Sequence, residues 1–393
     1  MSKSILVVGA GLTGAVLARA AADKGCRVQV VDQRDHLGGN CFDKAEFDSY
    51  THCYGPHLFH TSDKRVVEYL ERFTSFVPYF HKVHAYIDGG FVPIPFSLAS
   101  LPLTHPDYLA RRISQKLVAQ YGYGSSTTIY ALLDSPDPDL CQLGQFLFEK
   151  VFKGYSQKQW GIEDPLEIDK AVLNRIPVRV SMDSNYFTDR YQFLPSLGYT
   201  SMITAILNSP SITVQTGKKI NIRADSLTLK GSQVFVEDVA YDHIFYTGMI
   251  DELCSFALGD LPYRSLHFSW SEVQPSLSQR PSMVLNYPCN YDFTRVCDYS
   301  HIARALGDIP RVSRLGYEYP GAYHPESPIH AIPYYPMFTK TARASYIKYQ
   351  DYLSDLSIPL TVCGRLGHYR YYDMDDAVTA ARALAEKSPI LQQ

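Results

Sequence analysis

Gly9-x-Gly11-x-x-Gly14 constrains this chain more than any other feature, because of what flanks it. It follows the apolar run Ser4-Ile5-Leu6-Val7-Val8 and opens an amphipathic stretch, Ala15 to Lys24, after which a second run, Arg27 to Asp32, reads as a strand. Strand, glycine turn, helix and strand make one βαβ unit. Its glycines allow a tight turn, close approach of a pyrophosphate to the backbone, and packing of helix on strand. Asp32 ends the second strand 18 residues after Gly14, where an acid accepts hydrogen bonds from a ribose. Dinucleotide binding is therefore expected, although the motif itself does not separate NAD from FAD. Arg34 and the second glycine pair, Gly38-Gly39, followed by Asn40, favour FAD, because they can bring further donors to a diphosphate.

A chain of 393 residues exceeds one ordinary core, so two or three subdomains around a shared cleft are expected. Lys and Arg total 37 against 40 acids, so no basic field recruits nucleic acid or an anionic membrane. The first apolar run is too short for a signal peptide or a span, and a cytoplasmic location is predicted. Eight cysteines without C-x-x-C or zinc spacing read as reduced structural thiols, and no metal site is expected. Thirty tyrosines beside two tryptophans suit a cleft for sugars and nucleobases, with core packing as the plainer use of many.

Helical periodicity governs residues 106 to 155, with one apolar stripe from Tyr108-Leu109-Ala110 to Tyr121 and another at Leu143, Leu147 and Val151. Residues 211 to 247 alternate as a strand meander returning to the sheet, and strand-like pieces recur at 264 to 270, 281 to 287 and 312 to 318. The strand Leu360 to Cys363 and a helix from Met374 to Lys387 close the chain. The expected class is α/β, a Rossmann-like FAD-binding domain (1–78, 196–258 and 340–393) with a helical insertion domain carrying a mobile substrate lid (100–180) and an antiparallel β-sheet domain (79–99, 181–195 and 259–339).

Further segments carry a resemblance: Tyr54-Gly55-Pro56-His57-Leu58-Phe59-His60-Thr61, Lys153 to Gly161 with Lys158-Gln159-Trp160-Gly161, Arg175-Ile176-Pro177-Val178-Arg179, Asn185-Tyr186-Phe187 and Asp189-Arg190-Tyr191-Gln192. Tyr246-Thr247-Gly248, Thr294-Arg295, Pro333-Tyr334-Tyr335-Pro336, Gly364-Arg365-Leu366 and Tyr369-Arg370-Tyr371-Tyr372-Asp373-Met374 continue it. In this order the motifs resemble the bacterial UDP-galactopyranose mutases across nearly the whole chain. The resemblance implies isomerisation of UDP-galactopyranose and UDP-galactofuranose through an adduct between N5 of reduced FAD and sugar C1, with the cofactor as nucleophile. It places Gly9, Gly11, Leu12, Thr13, Gly14, Asp32, Gln33, Arg34, Gly39, Asn40, His57, Gly248, Arg365, Asp373 and Met374 on the cofactor.

Arg175 and Arg295 are implied for the diphosphate, His60 near N5, and the hydroxyls of Tyr186, Tyr319 and Tyr371 toward the phosphates. Tyr155 is implied to stack on the base, Trp160 to close a lid hinged at Gly154 and Gly161, and Asn286 to meet the base. His81 stands where the family usually shows asparagine, Val151 where it often shows an aromatic, and Gly367-His368 where it shows a small residue and commonly an acid or threonine, so the sugar and base stay open. The helix after Asp373 presents an N-terminus that favours an anionic flavin. A homodimer, a nucleotide-sugar substrate and a reductant such as NAD(P)H are further implied. Two alternatives remain: the same chemistry on dTDP-fucopyranose or UDP-N-acetylgalactosamine, and a flavin amine oxidase-like oxidoreductase. A non-catalytic flavin module would leave both arginines without a task.

Overall fold

The computed structural model describes residues 2–161, 177–220, 222–274 and 280–392. The opening βαβ unit forms as the sequence predicts: the strands Ser4–Val8 and Arg27–Val31 flank the helix Leu12–Asp23, and the two strands pair in parallel. They sit inside a five-stranded parallel sheet ordered Ile212–Gln215, Arg27–Val31, Ser4–Val8, His243–Tyr246, Leu360–Val362. Such a sheet must be covered on both faces, and its strands are accordingly apolar. Ile5 and Val7 pack with the helix, while Leu6 and Ile244 join a separate cluster on the opposite face.

The predicted meander divides. Its first and last strands enter the parallel sheet, whereas Thr228–Lys230, Gln233–Val236 and Val239–Tyr241 form a small antiparallel sheet of their own. The helix Lys340–Asp355 is not predicted, because tyrosines rather than aliphatic residues build much of its packed face. Tyr349 is fully buried there and still satisfied: its hydroxyl donates to the Gly259 carbonyl at 2.6 Å and accepts from the Leu258 N–H at 3.1 Å.

A second, seven-stranded sheet runs Tyr335–Pro336, Tyr263–Val273, Ser313–Ala322, Arg295–Asp298, Val284–Asn286, Val83–Ile87, Gly90–Ile94. It is antiparallel except where Val284–Asn286 meets Val83–Ile87 in parallel. Helices Asp107–Tyr121, Ile129–Leu133 and Pro138–Leu147 lie among the elements that share its apolar core. In the first of them Ala110, Ile113 and Leu117 are buried and Leu109 packs against the same core while Tyr108 is exposed, so the apolar stripe begins one residue later than predicted. Leu143, Leu147 and Val151 are buried as expected. Past Leu147 the chain makes a π-helical turn, Phe148–Lys153, and then the α-helix Gly154–Trp160. All eight cysteines are free thiols, and no helix among the described residues is long and apolar enough to cross a membrane.

Candidate functional site

The glycine turn opens a trough along the carboxyl ends of the parallel strands. Gly9, Gly11, Leu12, Thr13, Gly14, Asp32, Gln33, Arg34, Gly39, Asn40, His57, Gly248, Arg365, Asp373 and Met374 all line it. Two loops close on each other at its centre, where Gly11 bridges Gly38 and a Cβ added to Gly39 would lie 2.9 Å from the Gly11 Cα. Asp32 is buried and holds both loops: its carboxylate accepts from the Ala10 N–H at 2.7 Å and the Arg34 N–H at 2.9 Å. Arg34 lies over the Tyr54 ring and donates from Nη2 to Asn40 at 2.9 Å, yet its Nη1 is buried without a hydrogen-bond partner. Bare backbone on two glycine loops and an unanswered guanidinium N–H fit a dinucleotide's diphosphate.

At the far end of the trough stands the helix Met374–Lys387. Asp373 and Asp376 close a capping box on its first turn, which also carries Asp375. The cap expected of Asp373 is thus present, the box occupies the N-cap and N3 donors, and Arg365 also lines the trough.

A second cavity adjoins the first. His60, His81, Tyr155, Trp160, Tyr186, Asn286, Arg295 and Tyr371 line it, and His57, Arg365, Tyr372, Asp373 and Met374 belong to both cavities. The two spaces thus meet at a neck of five shared residues. His57 donates its backbone N–H to His52 Nδ1 at 2.9 Å, and its own Nδ1 bonds the Gly55 carbonyl at 2.8 Å. Burial pulls both imidazoles down to about 3, so His57 is a neutral wall of the neck. His368, beside the glycine at 367, bonds the Tyr372 hydroxyl at 2.8 Å and so orients another neck residue.

Arg295 is the centre of charge in the chamber. Its Nε donates to the Tyr155 hydroxyl at 2.8 Å, and its Nη1 lies 3.7 Å from Glu318 Oε2. Burial opposes the guanidinium charge, but Tyr155, Glu318, Tyr335 and Tyr186 outweigh it and hold its pKa well above the usual arginine value. Glu318 is 1% exposed and pushed above the usual carboxylate range by burial, against the pull of Arg295. His60 Nδ1 meets Asp189 at 2.9 Å and its ring stacks on Phe187, 3.6 Å between centroids. His81 is 4% exposed, held neutral at about 3 by burial, and its Nδ1 has no partner. Asn286 faces Arg295 directly across a strand pair, and its Oδ1 is buried without a partner.

Several expectations are corrected. Tyr319 does not line the chamber: successive strand residues face opposite ways, and because Glu318 points in, Tyr319 points out toward His267 and Phe293. Tyr335 takes the place expected for it, its hydroxyl accepting from Gln159 Nε2 at 3.1 Å with its ring against Trp160. The motif Pro333-Tyr334-Tyr335-Pro336 held that signal. Val151 packs into the helical core, and Phe152 is the aromatic that reaches the chamber. Gly154 stands where the π-helical turn passes into the α-helix, and its missing side chain admits the Pro288 carbonyl; Gly161 ends that helix in a left-handed conformation. Arg175 lies outside the described residues. Arg179, named in a motif but given no role there, is buried and donates to the Asn185 and Tyr186 carbonyls, fixing the loop that presents Tyr186.

Residues 150–371 match the family model of UDP-galactopyranose mutase, and residues 7–73 match an NAD(P)-binding Rossmann-like domain. A Klebsiella pneumoniae protein described as a probable UDP-galactopyranose mutase is 33% identical over 98% of this chain and 93% of its own length. The dTDP-fucopyranose mutase of Escherichia coli is 31% identical over 97% of each chain. Among solved structures, reduced UDP-galactopyranose mutase superimposes with a TM-score of 0.69 at 17% identity, covering 99% of this chain and 97% of that one, which establishes the shared fold.

Proposed function

Since the chain belongs to the UDP-galactopyranose mutase family, whose members are FAD-dependent mutases, we propose that it interconverts UDP-galactopyranose and UDP-galactofuranose with reduced FAD in the trough. The observation that carries this reading is the neck, where a glycine-lined trough opens past Arg365 into a chamber centred on Arg295 and ringed by tyrosines. When bound and reduced, the flavin supplies a nucleophile for the anomeric carbon of the sugar. Arg295 offers a planar fork of N–H donors to the negative charge that grows as the nucleoside diphosphate departs. Arg175 joins it in the proposal through kinship. Burial pushes the Tyr155 and Tyr335 hydroxyls up, so both remain neutral hydrogen-bond donors to phosphate oxygens. Asp189 favours a proton on His60 Nδ1, which leaves Nε2 as the acceptor for a sugar hydroxyl proton while the ring opens and recloses. Trp160 and Phe152 supply apolar wall that limits water in the chamber.

Tyr335→Phe removes one hydroxyl beside Arg295 and Gln159 and leaves the trough untouched. We expect roughly a tenfold rise in KM with normal flavin content, the weight of one hydrogen bond to a charged group. Steady-state kinetics beside the flavin absorbance check it, and an unchanged KM removes Tyr335 from the substrate site.

A second reading, the same mechanism on dTDP-fucopyranose, is supported by His81, which lines the chamber where the family usually shows asparagine, and by the Escherichia coli relative. Dithionite-reduced protein, incubated anaerobically with UDP-galactopyranose, UDP-galactofuranose and dTDP-fucopyranose, separates the two. Conversion of the galactose pair by reduced protein alone supports the first reading, conversion of only the deoxy sugar selects the second, and no conversion with flavin bound defeats both. A cytoplasmic setting, a homodimer, NAD(P)H as reductant and the three-part division of the chain belong to the same proposal, supported by kinship.

A further inference from the structure

The side chain of Lys158 stands out for its surroundings. Its Nζ lies 2.6 Å from the Tyr287 carbonyl, 3.0 Å from Cys289, 2.9 Å from Tyr291 and 3.1 Å from Phe293. An ammonium has three N–H donors, so four carbonyls saturate it, with one donor shared. All four come from a single loop of alternating inward oxygens, wrapped round the lysine much as backbone carbonyls wrap a bare cation. Among the described residues, Lys158 is the one side chain that hydrogen-bonds all four of those oxygens.

The loop's ends give the arrangement its meaning. It joins Val284–Asn286 to Arg295–Asp298, and Asn286 and Arg295 face each other where it begins and ends. Lys158 itself stands one turn beyond Tyr155 on Gly154–Trp160, and Tyr155 is the residue that accepts from Arg295 Nε. Gly154 brings helix and loop into backbone contact at the Pro288 carbonyl. From the opposite side Arg264 donates to the Lys158 and Gln159 carbonyls at 3.0 and 2.9 Å, fixing the end of the same helix. A closed circuit results: lysine to loop, loop to Arg295, Arg295 to Tyr155, and Tyr155 through the helix back to lysine.

We infer that Lys158 is a positioning residue for the proposed reaction, its ammonium serving as the core around which loop 287–293 folds so that Asn286 and Arg295 meet the nucleoside diphosphate together. Without the cation, four carbonyl dipoles converge on one point and repel, and although the Cys289 carbonyl keeps the Tyr291 N–H at 2.8 Å, the others lose the donor that gathers them. The inference rests on the function proposed above for the identity of the ligand, and on geometry alone for the loop. Burial pulls the Lys158 ammonium down to about 8, with Cys289 and Asp292 the charged or titratable groups of the loop that pull it back up. The folded pKa is depressed below the ordinary lysine value, so the clamp is complete below about 8 and is lost as pH rises through that value.

The test uses flavin-loaded, full-length protein with UDP as the probe. In Lys158→Met we expect UDP affinity, by calorimetry, to fall by about tenfold or more, with KM changing more than kcat and flavin content unchanged. Hydrogen exchange should quicken in residues 287–294 of the same variant with or without UDP. Wild-type affinity should decline as pH rises through about 8, while the variant's stays flat, and propylammonium should restore part of the affinity to Lys158→Ala only. Unchanged exchange in 287–294 overturns the inference whether or not UDP binds, and so does wild-type UDP affinity in Lys158→Met. Failure of the wild type to bind UDP would instead defeat the functional reading, leaving the exchange result to judge the lysine.

Discussion

Gly14→Ala is expected to give a folded, colourless protein. Alanine is the better helix former by about 1 kcal/mol, so propensity alone predicts a gain in stability. Sterics decide otherwise. The added Cβ would run into the Gly9 carbonyl oxygen, with the Gly9 carbonyl carbon 3.1 Å away and Val7 Cγ1 3.2 Å away. Gly9 cannot easily retreat: it holds a φ of +108°, closed to ordinary side chains, and its N–H is bonded to the Val31 carbonyl. Either the helix start or the turn must move, at a cost of about 1–3 kcal/mol. Both movements spoil the backbone that would receive a diphosphate. Flavin content should drop below about a tenth of the wild type, the factor that 1.4 kcal/mol makes in affinity, while circular dichroism stays native. A full complement of flavin in Gly14→Ala would show that the trough is not the flavin site.

Arg295→Ala should abolish most turnover and keep the flavin. Removing the guanidinium deletes a charged donor to the substrate and unseats Tyr155, so a loss of about a hundredfold or more is expected. It also strands Glu318, whose Oε2 has no hydrogen-bond partner. That carboxyl, already above its ordinary value through burial, should rise further. A carboxyl whose folded pKa is raised contributes most at low pH and loses stability as pH climbs. Arg295→Ala should therefore melt lower relative to wild type at alkaline pH than at acidic pH. Adding Glu318→Gln should cancel that pH dependence without restoring turnover. Loss of flavin in the single variant would assign Arg295 to the cofactor, and recovery of turnover in the double variant would deny it a substrate role.

How much was legible beforehand follows from what each residue is asked to do. The glycine loops of the trough were readable, because a turn that approaches a diphosphate needs glycine for its backbone, and Asp32 sits where both loops converge on it, whereas Lys218, Lys219 and Glu252 of its wall lie in no motif. Chamber residues were readable only where a motif surrounded them. Tyr319 was misplaced by strand parity: one residue of register sends Glu318 into the chamber and Tyr319 away from it. Val151 and Phe152 differ in the same way, with the π-helical turn Phe148–Lys153 resetting which of them faces inward. Lys158 could be seen in its motif, but the carbonyls that explain it come from a loop about 130 residues away, and no local pattern records such a partner.

The parallel sheet takes strands from 4–8, 27–31, 212–215, 243–246 and 360–362, while the seven-stranded sheet takes its strands from two of the intervals between them, 32–211 and 247–359. The backbone therefore passes back and forth between the two sheets, which ties the melting of one to the melting of the other. Heat or denaturant should meet one cooperative unit, in which weakening any layer releases cofactor and substrate groups at the same midpoint.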